Sequence, residues 1–329
     1  MIKTMYKFDM ENIQLGDIIL TAHISISSKA IRLATMGQFS HAILYVGYGS
    51  FIHSDSQGVH SNNIKRLLFE NESLAEVRRL NDQSYCEKAV LFARSQIGTE
   101  YSIKEAISTK SHLLQHKLNR QFCSRLVAQS YSFAGIDLVE NVDYCTPKEL
   151  QHSQCVHLVN GCITPASEED ITFASSPSPI QRQTEITNDI LSKVRQLSGK
   201  DIQSLEDLDQ LVLDIPSLDK EVTKIVSASG YLTMWQFEKY QNPWRYDGEI
   251  FLSLEIGQAE KIKSADFELK SAEDQIKLYI HNFQMCQKIL QHRNLLFFVM
   301  KADLYESLIE MMNKRIDAAK YVLKKLECD

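Results

Sequence analysis

The stretch "HAILYVGYGSFIHSD", residues 41–55, constrains the fold more than any other part of the chain. It sets two β-prone runs on either side of "GYGS", and closely spaced glycines between such runs mark a tight antiparallel turn. Side chains alternate faces along a strand, so the register of this hairpin decides which residues meet. A loop at "VGYGS" that leaves an even register puts His41 and His53 on one face, where one imidazole can orient the other.

The rest of the first half is mixed in the same way. "GDIILTAH" is a short apolar run after a turn glycine, and "SLAEVRRL" reads as a further strand. "YCEKAVLFARSQIG" and "CSRLVAQSYSFAG" are helical, stopping at Gly98 and Gly135. Eight of the twelve glycines lie in the first 161 residues, as a turn-rich β region requires. Three of the six prolines fall in "TPASEEDITFASSPSP", which reads as a linker or long surface loop and places a boundary near residue 175. Beyond it the pattern is helical. Ile186, Ile190, Val194 and Leu197 share a stripe ending at Gly199, and residues 271–292 and 300–326 predict two long helices, an antiparallel pair. The organisation expected is an α+β domain over 1–175 and a mainly α-helical region over 176–329.

A formal net charge of −6 provides no general basic field for nucleic acid or an anionic membrane. The basic pairs at 65–66 and 78–79 are expected on solvated faces. "LLFFVM" at 295–300 is far too short to cross a bilayer, and the first residues lack the apolar core of a signal peptide. These features predict a cytoplasmic protein without a transmembrane segment, with signal-independent export left open. Seven cysteines at loose spacing do not form a disulfide framework. Cys145, His152, Cys155, His157 and Cys162 are close in sequence but contain no C-x-x-C pair, so no metal site is expected. No Walker loop or G-x-G-x-x-G occurs, and no cofactor is expected.

The chemistry is concentrated at Cys123, which opens a helical pattern. A thiol attacks as thiolate, and the unpaired amides and dipole of a helix N-terminus favour that form. The amide of Cys123 can also help to hold an oxyanion during acyl transfer. A base is then needed, with a third polar group to orient it. His41 and His53 are the pair the sequence offers. His112, His116, His152, His157, His281 and His292 sit in polar or helical surroundings with no such pairing. From spacing alone, a small apolar side chain packed in a core describes Cys123 better than a nucleophile does.

The segments "IQLGDIIL", "FSHAILYVGYGSFIHSDSQGV", "ARSQIGTEYSI", "QFCSRLVAQSYSFAGIDL" and "CTPKEL" occur in this order across about residues 13 to 155. Together they resemble the circularly permuted branch of the NlpC-type papain-fold cysteine hydrolases, which includes YiiX- and YebB-like proteins and the relatives of lecithin:retinol acyltransferase. In that branch the histidine motif precedes the cysteine, as here. The resemblance implies Cys123 as nucleophile, His41 as base and His53 as third polar residue, with Asp55 and, more weakly, His60 competing for the last role. Tyr101 resembles the family tyrosine near the active site, and a packed aromatic is the competing reading. Asp17, Thr146 and Pro147 are expected to be architectural. The resemblance does not extend to residues 176–329.

The activity implied is acyl transfer through a thioacyl enzyme, with an amide, peptide or isopeptide bond as first choice. Esters or thioesters of acyl lipids are the second choice. A binding module that keeps the fold without turnover is the third, with the C-terminal helices as a platform for a protein partner or for self-association.

Overall fold

The computed structural model describes residues 4–22, 38–100, 121–176 and 178–326. Strands β1 (Tyr6–Phe8) and β2 (Ile18–Thr21) precede the hairpin strands β3 (His41–Gly47) and β4 (Ser50–Asp55). β5 (Gly58–Asn63) and β6 (Ala75–Leu80) follow, then α1 (Cys86–Ser95), α2 (Cys123–Ala134) and α3 (Pro147–Gln151). β7 (Val156–Val159), β8 (Ile163–Pro165) and α4 (Glu168–Ser175) complete this part.

Six strands make one antiparallel sheet in the order β5-β4-β3-β2-β6-β7, and β1 pairs with β8. The central strands are buried on both faces. On one face Ala42, Leu44 and Ile52 pack with Ala89, Leu126 and Val127 of α1 and α2. On the other, Ile19, Ile43, Phe51 and Val77 pack with Phe8 and Phe69. Each fully buried Leu or Val contributes about 1.5–3 kcal/mol, so the two faces hold the sheet from both sides. This is the α+β arrangement of sheet on helices that the sequence predicts, and a helical C-terminal region follows it.

The β3–β4 hairpin settles the parity question. Its tip, Tyr48–Gly49, has positive φ at both positions (50° and 75°), as a two-residue type I′ turn needs. Gly47 faces Ser50, whereas Tyr45 faces Phe51 and Leu44 faces Ile52, so the ladder slips by one residue between Tyr45 and Gly47. A plain two-residue tip would pair odd with even positions. The bulge restores an even sum, and His41 and His53 therefore share a face.

The proline-rich stretch contains a helix that the composition conceals. Ser167 caps α4 by accepting from the Asp170 amide, and Asp170 returns a bond to the Ser167 amide. The basic pairs are solvated only in part, with Lys65 exposed and Arg66, Arg78 and Arg79 half-buried. Arg66 donates to Ser176 Oγ at 3.1 Å and lies over the Phe173 ring. Arg79 forms a two-pronged ion pair with Asp17, both bonds 2.8 Å, and Asp17 is fully buried.

The chain divides into two units, Met1–Leu191 with Lys200–Leu208, and Ser192–Gly199 with Asp209–Asp329. The division runs through α5 (Pro179–Ser198) and α6 (Leu205–Asp214). α7 (Asp219–Ala228), α8 (Met234–Gln241) and α9 (Gly248–Leu252) lead to the long helices α10 (Gln258–Leu290) and α11 (Leu296–Leu326). These two are antiparallel: Gln258 at the start of one donates to the Leu326 carbonyl at the end of the other. Between them the buried Arg315 donates to Glu268, and Asp219 caps α11 through the Leu296 and Phe297 amides, both at 2.8 Å. No helix among the described residues is long and apolar enough to cross a membrane.

Candidate active site

α2 starts at Cys123 because Phe122 is extended (φ −139°, ψ 163°) and leaves the helix without a side-chain cap. The first amides are thus available to the sulfur. The N–H groups of Cys123 and Ser124 reach it, with the N–H of Ala42, the residue after His41. All of these favour the thiolate. Burial opposes them and wins, raising the thiol pKa above its ordinary value. The resting sulfur therefore carries its proton at neutral pH, and ionisation must be coupled to a base.

The helix start is fixed from below. Ser124 Oγ donates to the Cys145 carbonyl at 2.7 Å, and the Cys145 thiol donates back to the Ser124 carbonyl at 3.2 Å. Arg125, also buried, donates to the Asp143 carbonyl at 2.7 Å and stacks on Phe122. Burial pushes the Cys145 thiol far up, so it stays neutral. At the far end Gly135 adopts the left-handed conformation (φ 107°) that terminates the helix. Thr146 and Glu149 form a capping box on α3 with Pro147 in its first turn, which makes "CTPKEL" a helix start.

The histidines form a chain. His41 Nε2 lies 2.8 Å from His53 Nδ1, His53 Nε2 lies 3.0 Å from His60 Nε2, and His60 Nδ1 lies 3.1 Å from the Gly58 carbonyl oxygen. The last contact sets the protons of the neutral rings. A carbonyl only accepts, so His60 carries its proton on Nδ1 and presents a lone pair at Nε2. His53 must then donate from Nε2 and accept at Nδ1. His41 in turn donates from Nε2, which leaves its Nδ1 as a lone pair. Along this chain of bonds the Gly58 carbonyl favours Nδ1 as the basic nitrogen of neutral His41.

The strands enforce this arrangement. His53 directly faces His60 in the β4–β5 ladder, and both are buried, while His41 is only partly so. Asp55, two residues beyond His53, keeps 4.0 Å from His53 Nε2 and 3.7 Å from His60 Nδ1. Of the residues considered for the third position, His53 contacts His41 directly, and Asp55 and His60 stand behind it. The role of His60 is visible only once the second hairpin is registered. Asp55 pairs with Gly58 across a two-residue turn, and that spacing, present in "DSQG", puts 53 opposite 60. Tyr101 lies outside the described residues. Cys145, His152, Cys155, His157 and Cys162 form no ligand set among the described residues, whereas His53, Asp55 and His60 do converge.

Residues 12–167 match the family model described as permuted papain-like amidase enzyme, YaeF/YiiX, C92 family. Among solved structures, the chain is similar to one titled metalloprotein yiiX from Escherichia coli O157:H7. The two share 18% identity over 45% of this chain and 97% of that one, with a TM-score of 0.30. No curated protein matches. Residues 12–167, which carry both the histidine strand and the helix opened by Cys123, are similar to the permuted papain-like amidases, a family of cysteine hydrolases.

Proposed function

We propose that the first unit hydrolyses an amide bond by thiol acyl transfer, with Cys123 as nucleophile, His41 as base and His53 as the residue that orients His41. The observation that carries this reading is the 2.8 Å contact between His41 Nε2 and His53 Nδ1, made beside the strand amide that faces the Cys123 sulfur. His41 Nδ1 takes the thiol proton as sulfur attacks the substrate carbonyl. The oxyanion is held by the Cys123 amide at the uncapped end of α2. The protonated His41 passes its proton to the leaving amine, and a thioester remains on Cys123. Water, deprotonated by His41, then releases the acid and restores the thiol. Residues 1–175 carry this chemistry, and the helices of 176–329 bind a protein partner or a second copy.

The test is turnover by wild-type and Cys123→Ser protein on a panel of peptides and isopeptides beside a panel of phospholipids and acyl thioesters. Amide cleavage lost in the variant, with an acyl adduct on Cys123 detected by mass spectrometry, supports the reading. Turnover of lipid esters alone would replace the amide by an ester. Unimpaired activity in Cys123→Ser would end the proposal.

A further inference from the structure

We propose that His53, Asp55 and His60 form a site for a divalent cation of the zinc class, and that its occupation disables His41 by reversing the imidazole chain. The second half rests on the reading of His41 as base; the first does not.

The Nε2 atoms of His53 and His60 face each other at 3.0 Å. Two imidazole nitrogens on one tetrahedral zinc, with bonds of about 2.0–2.1 Å, lie about 3.3 Å apart. The observed pair needs to open by only a few tenths of an ångström. A single proton now bridges them, and a cation would take its place. Asp55 supplies the third ligand. Its Oδ1 accepts from the Gln57 amide at 2.9 Å, which fixes the carboxylate, and Oδ2 lies 4.0 Å from His53 Nε2. The carboxylate side chain is 40% exposed, giving a path for the ion and a place for water as fourth ligand.

The outer contacts are those a metal site uses. A ligating histidine commonly donates its other N–H to a backbone carbonyl, and His60 Nδ1 already does so to Gly58. The two ligand rings come from directly opposed positions of a ladder, so the ion does not have to organise them. Two imidazoles and one carboxylate suit zinc, and nickel and copper by the general affinity order, but not calcium or magnesium, which prefer all-oxygen sites.

The consequence for His41 follows from proton positions. A metal on His53 Nε2 moves that ring's proton to Nδ1. His53 then donates to His41 Nε2, and neutral His41 must carry its own proton on Nδ1, where its lone pair had been. His60 is unchanged. Each ring keeps one proton before and after, so the switch is a pair of tautomer exchanges through solvent with no net release. With Nδ1 protonated, His41 has no lone pair for the Cys123 thiol.

Full-length Cys123→Ser protein, titrated with zinc chloride by calorimetry, tests the site without a contribution from that sulfur. One equivalent should bind. Losing a supporting outer-shell contact weakens metal sites by about 10–100-fold, so losing a ligand in His60→Asn or Asp55→Asn should cost at least about 100-fold. Asp55 is partly exposed, and its variant keeps the test valid should His60→Asn fail to fold. Cobalt in place of zinc should show visible d–d bands without thiolate charge transfer. Equal zinc affinity in both ligand variants, a thiolate band, or no binding would overturn the site. The switch is read by 15N imidazole spectra of the same protein. His41 protonated on Nε2 without zinc and on Nδ1 with it is expected, and an unchanged tautomer would overturn the switch. Should the metal-free wild-type protein turn over neither amides nor esters, the catalytic reading fails while the titration still decides the site.

Discussion

His60 Nδ1 donates to the carbonyl of Gly58, its neighbour two residues back, and this one short-range bond gives direction to every proton between β5 and His41. Removing the ring should not abolish turnover, because His53 still holds His41. It should remove the bias between two tautomers of His53. A hydrogen bond of about 0.5–1.5 kcal/mol corresponds to a roughly 2- to 12-fold loss in kcat for His60→Phe. His53→Ala, which leaves His41 without its orienting partner, should cost at least about 100-fold. Kinetics of both variants against one amide substrate check the order.

Gly58 has φ 91°, and a Cβ at this position would lie 2.5 Å from the Thr99 carbonyl oxygen. Gly58→Ala should therefore destabilise the first unit by about 1–3 kcal/mol and lower kcat as the anchoring carbonyl shifts. Thermal denaturation and kinetics should move together. A stable variant with full activity would show that the carbonyl does not set the chain.

Burial raises the Cys123 pKa, so the sign of its reactivity with pH is fixed: the thiolate fraction is small at neutral pH and grows with alkalinity. Alkylation of Cys123 by iodoacetamide should keep rising above pH 8.5, where an ordinary exposed thiol is already half ionised. A plateau in the rate below pH 7 would indicate a resting thiolate–imidazolium pair and contradict this. Mass spectrometry of the labelled peptide separates Cys123 from the other thiols.

Arg79→Ala leaves the fully buried Asp17 without its two-pronged partner. Removing one member of such a pair costs about 3–5 kcal/mol, and the partial exposure of Arg79 puts the expectation near the lower figure. Urea denaturation measures it. Arg78→Ala, next along β6, should cost less, because its partner Glu76 is itself partly exposed and keeps Gln151 as a second partner.

What was legible in the sequence was local. The hairpin at 41–55, the helix opening at Cys123 and closing at Gly135, and the long helical pair near the C-terminus each follow from a periodicity with a start and a stop. His60 reads as a minor candidate because its partner is decided by a second turn, whose register is clear only in the ladder. Arg79 resembled a solvated charge, since nothing local announces that Asp17, 62 residues away, is buried beside it. The prolines of 165–179 concealed α4, although Ser167 and Asp170 spell out a cap. The order of the strands, with β2 at the centre and β7 joining from beyond α2, depends on distant pairings that no window of sequence contains.

The slip between Tyr45 and Gly47 carries a rule for altering this protein. A single amino acid added to or taken from the hairpin tip would turn His53 away from His41 while leaving both histidines and most of the sheet in place. Two added together would restore the match. Loop grafts at residues 46–49 should accordingly succeed or fail by counting, with active and silent lengths alternating however conservative the inserted residues are.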